Sequence, residues 1–319
     1  MRNPDISIII PLLNEEESLE ELFSRIDTVC RNHNLSYEVW FVEDGSTDLS
    51  WSIIENLKVQ NPQIRGIKFS KNYGKSQALQ AAIQRASGDV VITMDADLQD
   101  FPEEIPELYH MVKNENYDIV SGWKKKRYDN VMTKNLPSKL FNSAARKVSG
   151  VYLHDFNCGL KAYRKQVVKS IDVYGDMHRY IPVLAANAGF RNITEKPVQH
   201  QARPYGTSKF GTERFVRGFL DLVTLWFVSR FGARPMHFFG AIGTLMFIIG
   251  FLSAIWLGIS KLIDVSRGVY GNLIAENPWF FIAMTMMILG TLLFIGGFLG
   301  ELIIRSNRER QNYHIEEEI

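Results

Sequence analysis

The sequence predicts an α/β domain with a mostly parallel sheet, followed by interfacial helices and two transmembrane helices. Three observations carry that expectation. Short apolar runs alternate with helical periodicities through the first 125 residues. Polar clusters fall where several of those runs end. Two later stretches, His237–Ser260 and Trp279–Gly300, contain no Asp, Glu, Lys or Arg. Repeated β-α units with continuous apolar strands imply a sheet covered on both faces.

The elements follow in order. ISIII (6–10) is the first strand, and Leu19, Leu22, Phe23, Ile26 and Val29 then recur at helical spacing. VWFV (39–42) is the second, followed by a helix through Trp51, Ile54 and Leu57. IRGIKFS (64–70) is the third, followed by a helix through Leu79, Ala82, Ile83 and Ala86. VVITM (90–94) and YDIVSG (117–122) are the fourth and fifth. Such sheets bind ligands beyond the carboxyl ends of their strands. Three polar clusters fall there: PLLNEE after the first strand, EDGSTD after the second and DADLQD after the fourth.

DADLQD is the most informative. Residues two apart on an extended segment point the same way, so Asp95 and Asp97 converge while Ala96 turns aside. Two close carboxylates repel, which calls for a cation between them. Hard oxygens suit Mg²⁺ or Mn²⁺, and such sites use one or two carboxylates plus substrate phosphates. Asp44 closes another strand and strengthens the pattern. Asp100 and Glu103 read instead as caps of the next helix. The chain has no GxxxxGK[ST] and no GxGxxG, which argues against a P-loop nucleotidase and a dinucleotide fold.

Lys and Arg number 36 against 35 Asp and Glu, so the chain is no general polyanion binder and no nucleic-acid partner is expected. The basic residues cluster, however: Lys124 to Arg127, Lys134, Lys139, Arg146 and Lys147 face the single acid Asp129. Lys124 to Arg127 are expected to hold the domain against a bilayer. Cys30 and Cys158 form no CxxC, which argues against a disulfide framework or zinc site. MRNPDISIIIPLLNEEES does not read as a signal peptide, so the first domain is expected in the cytosol.

Each uncharged stretch exceeds the roughly 20 residues needed to cross about 30 Å of hydrocarbon. Arg230 and Arg234 precede the first; Arg305, Arg308 and Arg310 follow the second. This places both chain ends in the cytosol. ERFVRGFLDLVTLWFVSRFGARP (213–235) reads as interfacial helices with snorkelling arginines. Gly296 and Gly300 form a GxxxG that could pack helices closely and suits a homo-oligomer. The expected division is a domain over 1–211, juxtamembrane helices over 212–235, a hairpin over 236–305 and a tail over 306–319. The tail's YHIEEEI reads as solvated and mobile.

PLLNEEES, VEDGSTD, SKNYGK, MDADLQDFPEE, DFNCGLKAYRK and RPYGTSKFG, in this order, resemble the family 2 glycosyltransferases with the GT-A fold. With the two C-terminal spans, the chain resembles the polyprenyl-phosphate glycosyltransferases. The resemblance implies inverting, metal-dependent transfer of a sugar from a nucleotide diphosphate sugar to a polyprenyl phosphate. The reaction would run at the cytosolic face of a membrane, the inner membrane if the source is bacterial. By position, Pro11, Asn14 and Glu15 would line the nucleotide pocket, and Asp44 and Ser46 would contact base or ribose. Asn72 and Lys75 would contact the donor. Asp95 and Asp97, helped by Gln99, would hold Mg²⁺ or Mn²⁺. Asp155 and Asp97 would be the catalytic acids. Ser138, Lys139, Arg203, Ser208 and Lys209 would grip the acceptor phosphate or close over the donor. The family's usual residues are replaced by Leu13, Glu43, Cys158 and Leu160.

A phosphate monoester has a second pKa of about 6, so it is already largely ionised near neutral pH. Asp155 is therefore expected to orient groups rather than remove a proton. His110, His178 and His200 lack metal-ligand spacing and read as structural. A polysaccharide-extending synthase would want an acceptor-site ED pair, a QxxRW and more spans. A sugar-nucleotide-binding scaffold without activity sits badly with the intact Asp44, Asp95, Asp97 and Asp155.

Overall fold

A computed structural model of the chain describes residues 3–125, 149–173, 175, 177–201, 203–204, 234–268, 273–306 and 315–319, with single positions 146, 227 and 231. Ser138, Lys139, Ser208, Lys209 and most of the expected interfacial segment lie outside these residues. The chain divides into two compact units, Met1–Ser229 with Gln311–Ile319, and Arg230–Arg310.

The first unit is built on one eight-stranded sheet in the order β7-β5-β6-β4-β1-β2-β3-β8. Its strands are β1 (Ile6–Leu12), β2 (Tyr37–Glu43), β3 (Ile64–Phe69), β4 (Val90–Thr93), β5 (Ile119–Trp123), β6 (Lys161–Arg164), β7 (Ile193–Pro197) and β8 (Ile315–Glu318). The helices are α1 (Leu19–Asn32), α2 (Ser50–Gln60), α3 (Lys75–Arg85), α4 (Ile105–Lys113), α5 (Lys165–Lys169) and α6 (Ile181–Asn187). The central strands β4, β1, β2 and β3 are mutually parallel. The whole sheet is mixed, because β6 runs antiparallel to β4 and β5, and β8 antiparallel to β3.

Both faces are covered, which explains the unbroken apolar strands. Ile6, Ile8, Ile10, Val39, Phe41 and Ile92 pack on one side with α1 and α4. Ile9, Trp40, Val42 and Val91 pack on the other with α3, α5 and α6. Fully burying one such Ile contributes about 1.5–3 kcal/mol. Pro11 sits in the central strand β1, a position proline normally avoids. It is tolerated because the β1–β4 ladder ends at Ile9↔Thr93, so β1 is locally an edge there.

Three strands were not expected from the sequence. KAYR and ITEKP are too short and too charged to show an apolar period. The third, β8, overturns the expectation of a solvated tail. Glu316 Oε1 pairs with Lys68 at 3.3 Å, and Glu318 Oε1 accepts from Arg85 at 2.9 Å. Trp51 Nε1 donates to Glu317 at 3.0 Å. Gly66 and Ile319 exchange backbone hydrogen bonds of 2.9 and 3.0 Å. A Cβ on Gly66 would come 2.8 Å from the Ile319 side chain, so that strand position suits glycine. An acidic strand is held because the β3 edge presents Lys68 and Arg85 lies nearby.

The second unit contains α7 (Pro235–Ser266) and α8 (Pro278–Ser306), in which Pro235–Ser266 and Pro278–Ile303 are long and apolar enough to cross a membrane, each with a mean hydropathy of 2.2. Their closest approach does not use the GxxxG. A Cβ on Gly243 would lie 2.5 Å from the Gly290 carbonyl oxygen, and one on Gly250 would lie 2.6 Å from that of Ala283. Gly296 has open space around its Cα. Small residues at a helix crossing let backbones touch, and here they join the hairpin itself.

Deleting residues 315–319 exposes the β3 edge and uncovers Trp51. The expected loss is roughly 2–3 kcal/mol, the scale of one large apolar side chain returned to water. Thermal unfolding of the full-length and truncated proteins measures it; equal midpoints would mean that β8 is not held in solution.

Candidate active site

The site is assembled from five loops at the carboxyl ends of β1, β2, β3 and β4 and before β6. The first two are stitched together. Asn14 adopts φ 54, a left-handed conformation that asparagine tolerates better than most residues. Its N–H donates to Ser46 Oγ at 2.9 Å, and its side-chain Oδ1 accepts from the Thr47 N–H at 2.8 Å. The Glu15 N–H donates to Ser50 Oγ at 3.0 Å. Glu43 accepts from the Ser46 N–H.

Asp44 fixes the third loop. Its two carboxylate oxygens accept the N–H groups of Tyr73 (2.7 Å) and Gly74 (2.9 Å). Gly45, at φ 76, permits this approach: a Cβ there would lie 2.4 Å from the Asn72 nitrogen. Burial pushes the Asp44 carboxyl up to about 6, with Glu43 adding to the rise and the two N–H bonds opposing it. The loop delivers Asn72 and Lys75, the first residue of α3, to the site.

The fourth loop follows the expected alternation. Asp95, Asp97 and Gln99 are half-buried, whereas Ala96, Leu98 and Asp100 are buried. Leu98 holds φ 57, unusual for a residue with a bulky side chain, and its carbonyl oxygen accepts from Gln201 Nε2 at 2.6 Å. The Gln99 N–H donates to Asp97 Oδ1 at 3.2 Å. Neither acid expected as a helix cap serves as one. Asp100, fully buried, pairs with Lys124 at 2.7 Å, and Glu103 pairs with Arg25 at 2.8 Å. Lys124 is thus an internal cation of the site and not a membrane contact.

The fifth loop, DFNCGL, wraps the ammonium of Lys161. This lysine is 3% exposed and donates to the carbonyl oxygens of Phe156, at 3.2 Å, and Cys158. Asp155 is buried and accepts from the Asn157 N–H at 3.0 Å. Gly159 lies against Asp95: a Cβ there would come 2.4 Å from Oδ2. The glycine is therefore required by the carboxylate itself. Thr93 Oγ1 fastens the loop by donating to the Gly159 carbonyl oxygen at 2.8 Å.

The two aspartates sit in contrasting fields. Burial works to raise the Asp95 carboxyl, but Lys75, Lys124 and Lys161 outweigh it and hold it down at about 2. Lys75 also contacts Asp95 directly. Burial and the charge of Asp95 push Asp97 up to about 6. His178, whose Nδ1 lies 3.1 Å from Ser76 Oγ, is driven down to about 3 by burial and then by Lys75, so its imidazole is neutral.

Arg203 pairs with Glu15. It lines a cleft of about 320 Å³ with Asn14, Glu15, Glu16, Glu17, Thr47 and Asp48, which puts it beside the first two loops. Among the described residues no group of three or more His, Cys, Asp and Glu could cage a metal ion. The set on offer, two half-exposed carboxylates side by side, fits a hard cation that takes its remaining ligands from a diphosphate and water.

The sequence profile of the glycosyl transferase family 2 matches residues 7–172, which contain all five loops. The chain belongs to glycosyl transferase family 2. It is 33% identical over 306 residues to a dodecaprenyl-phosphate galacturonate synthase of Rhizobium johnstonii, covering 95% of this chain and 88% of the relative. It is 34% identical over 322 residues to an undecaprenyl-phosphate 4-deoxy-4-formamido-L-arabinose transferase of Aeromonas hydrophila, covering 99% and 95%. Among solved structures it resembles glucosyl-3-phosphoglycerate synthase from Mycobacterium tuberculosis, in complexes with UDP and with Mn²⁺, UDP and glucosyl-3-phosphoglycerate. The TM-score is 0.54 for both, at 18% and 17% identity, covering 71% of this chain and 80% of that one. The glycosyltransferase thus has the GT-A arrangement of its sheet.

Sequence reasoning missed Lys161 and Gly159 and misplaced Lys124, while His178, held by Ser76, keeps the structural role read from its spacing. Lys161 and Gly159 lie inside the DFNCGLKAYRK motif, which was the signal available.

The raised Asp97 carboxyl has a consequence for stability. An unfolded Asp titrates near 3.9. The folded state therefore holds the extra proton between about 4 and about 6, and Asp97 favours folding below that window and opposes it above. Asp97→Asn should raise the unfolding midpoint at pH 7.5 relative to the parent and lose that advantage at pH 4, as thermal unfolding at the two pH values would show. A variant less stable at pH 7.5 contradicts the assignment.

Proposed function

We propose that this family 2 enzyme transfers a sugar, with inversion, from a nucleoside diphosphate sugar to a polyprenyl phosphate at the cytosolic face of a membrane. The observation that carries the reading is the pair Asp95 and Asp97, half-exposed on one side at the end of β4 and ringed by lysines. The acceptor class is supported by similarity over 95–99% of the chain to enzymes named for dodecaprenyl and undecaprenyl phosphate. Those relatives handle different sugars, galacturonate and a formamido-arabinose, so the reading stops at the reaction class.

Each loop has a part. Pro11, Asn14, Glu15, Ser46 and Asn72 would line the nucleotide, and Asp44 would hold the third loop in place beneath it. Asp95 and Asp97, with Gln99 beside them, would hold Mg²⁺ or Mn²⁺. When bound, the cation supplies positive charge to the departing diphosphate. Lys161 adds fixed positive charge near Asp95, and Lys75 adds a second ammonium bonded to it. Asp155, buried and already accepting a backbone N–H, suits orientation of the reacting groups, because a phosphate needs little help to ionise. Arg203, with Ser138, Lys139, Ser208 and Lys209, would secure the acceptor phosphate or close over the donor. The apolar helices α7 and α8 would anchor the enzyme in the lipid that carries its acceptor. The pairing of β8 with β3 supports placing both flanks of the hairpin on one side of the membrane, since residues before and after it share one sheet.

The reading is tested by offering purified enzyme a panel of sugar nucleotides with a short polyprenyl phosphate and searching for the glycolipid by mass. A product of one sugar and one polyprenyl phosphate, abolished by EDTA and restored by Mg²⁺ or Mn²⁺, is expected. Donor hydrolysis without glycolipid across the panel would refute the acceptor.

A second test concerns Asp155. At pH 8 the acceptor is fully ionised, so Asp155→Asn is expected to retain measurable turnover, with loss on the order of 10²-fold or less, the low end of general-base effects. Complete loss with acceptor binding intact would make Asp155 a proton acceptor.

A further inference from the structure

Three ammonium groups act on Asp95: those of Lys75, Lys124 and Lys161. Two are committed elsewhere. Lys124 is paired with Asp100 at 2.7 Å, and its side chain is 11% exposed. Lys161 is enclosed by the carbonyl oxygens of its own loop. Lys75 differs from both. Its Nζ donates to Asp95 Oδ1, its side chain is 35% exposed, and Asp95 is its one ion-pair partner among the described residues.

The surroundings restrict how a cation can reach this carboxylate. The backbone of Gly159 is packed against Asp95, so that side is closed. The Asp95 side chain still keeps 31% of its surface exposed, and the group bonded to it is the part-exposed ammonium of Lys75. Lys75 is the first residue of α3, fixed through Gly74 by the Asp44 carboxylate. Its helix is therefore anchored, while its flexible four-carbon stem lets the ammonium swing without backbone movement.

We propose that Lys75 is the resident counter-ion of Asp95 and gives way to the divalent cation when the donor arrives, its ammonium then pairing with the diphosphate. The inference rests on the metal reading above and extends it to the resting enzyme. A divalent ion brought against Asp95 repels the ammonium already bonded there, so the two compete for this carboxylate. Alone, the ion must send Lys75 into solvent with no new partner. With a nucleoside diphosphate present, the displaced ammonium finds an anion. Cation and nucleotide therefore help each other bind, and by linkage the help is equal in both directions. The arrangement also keeps the bare acidic pair from collecting divalent ions when no donor is at hand.

The test is Mn²⁺ binding to the full-length protein in detergent, followed by the electron paramagnetic resonance of free Mn²⁺, with and without UDP or GDP. The parent should bind Mn²⁺ weakly alone and more tightly with the nucleotide. Lys75→Met should bind Mn²⁺ alone at least about fivefold more tightly than the parent, with the nucleotide's effect reduced by a similar factor. Lys75→Arg, which keeps the charge, should resemble the parent. Thermal unfolding reports whether each variant is folded, and Lys75→Gln takes the place of Lys75→Met should the latter fail. Mn²⁺ binding to the neutral variant that is unchanged or weaker, while the parent still responds to nucleotide, overturns the counter-ion role alone. A parent that binds no Mn²⁺ even with either nucleotide overturns the metal reading and this inference together.

Discussion

Two carboxylates cannot sit two residues apart at the end of a buried strand without positive charge beside them. Around Asp95 and Asp97 that requirement organises the whole carboxyl edge of the sheet. Lys124 is drawn inside and paired with Asp100, Lys161 is enclosed by the loop before β6, and the part-exposed Lys75 is bonded to Asp95. The result is asymmetric. Asp95 is held ionised while Asp97 is pushed toward protonation, so the pair enters its chemistry with one firm charge and one soft one.

The loops that deliver these groups are held by backbone geometry more than by apolar packing. Asn14 crosses to the second loop, Asp44 crosses to the third, and Thr93 fastens the fifth. Two glycines make the approaches possible. Gly45 lets the second loop touch the third, and Gly159 lets the fifth lie against Asp95. Larger residues at these points would collide with backbone or with the acid itself. Binding residues on loops are normally positioned by a rigid scaffold, and here the loops also brace one another.

Much of this was legible in the sequence. The parallel strands β1, β2 and β4 announce themselves because burial on both faces makes most of their length apolar. The alternation of Asp95 and Asp97 with Ala96 follows from the two-residue period of extended chain. Other features were hidden for physical reasons. KAYR, ITEKP and IEEE carry too much charge for an apolar pattern, and their pairing is decided by partners distant in sequence. Lys161 escaped because buried lysines are rare and nothing in a local window reveals the carbonyl oxygens that receive it. Lys124 was misread because it opens a basic run, and nothing in a row of lysines shows that its first member turns inward. Its partner, Asp100, was itself taken for a helix cap.

The strand β8 lies beyond both apolar helices in the chain, yet it completes the sheet beside β3. During translation the ribosome makes β1 to β7 first, then the two apolar segments, and only then the strand that closes the border. Until that moment β3 presents a row of unsatisfied backbone groups, the kind of surface on which neighbouring chains stack. Maturation of the sheet is therefore tied to completion of the two long apolar helices, and a nascent chain stalled between the two would carry an adhesive rim.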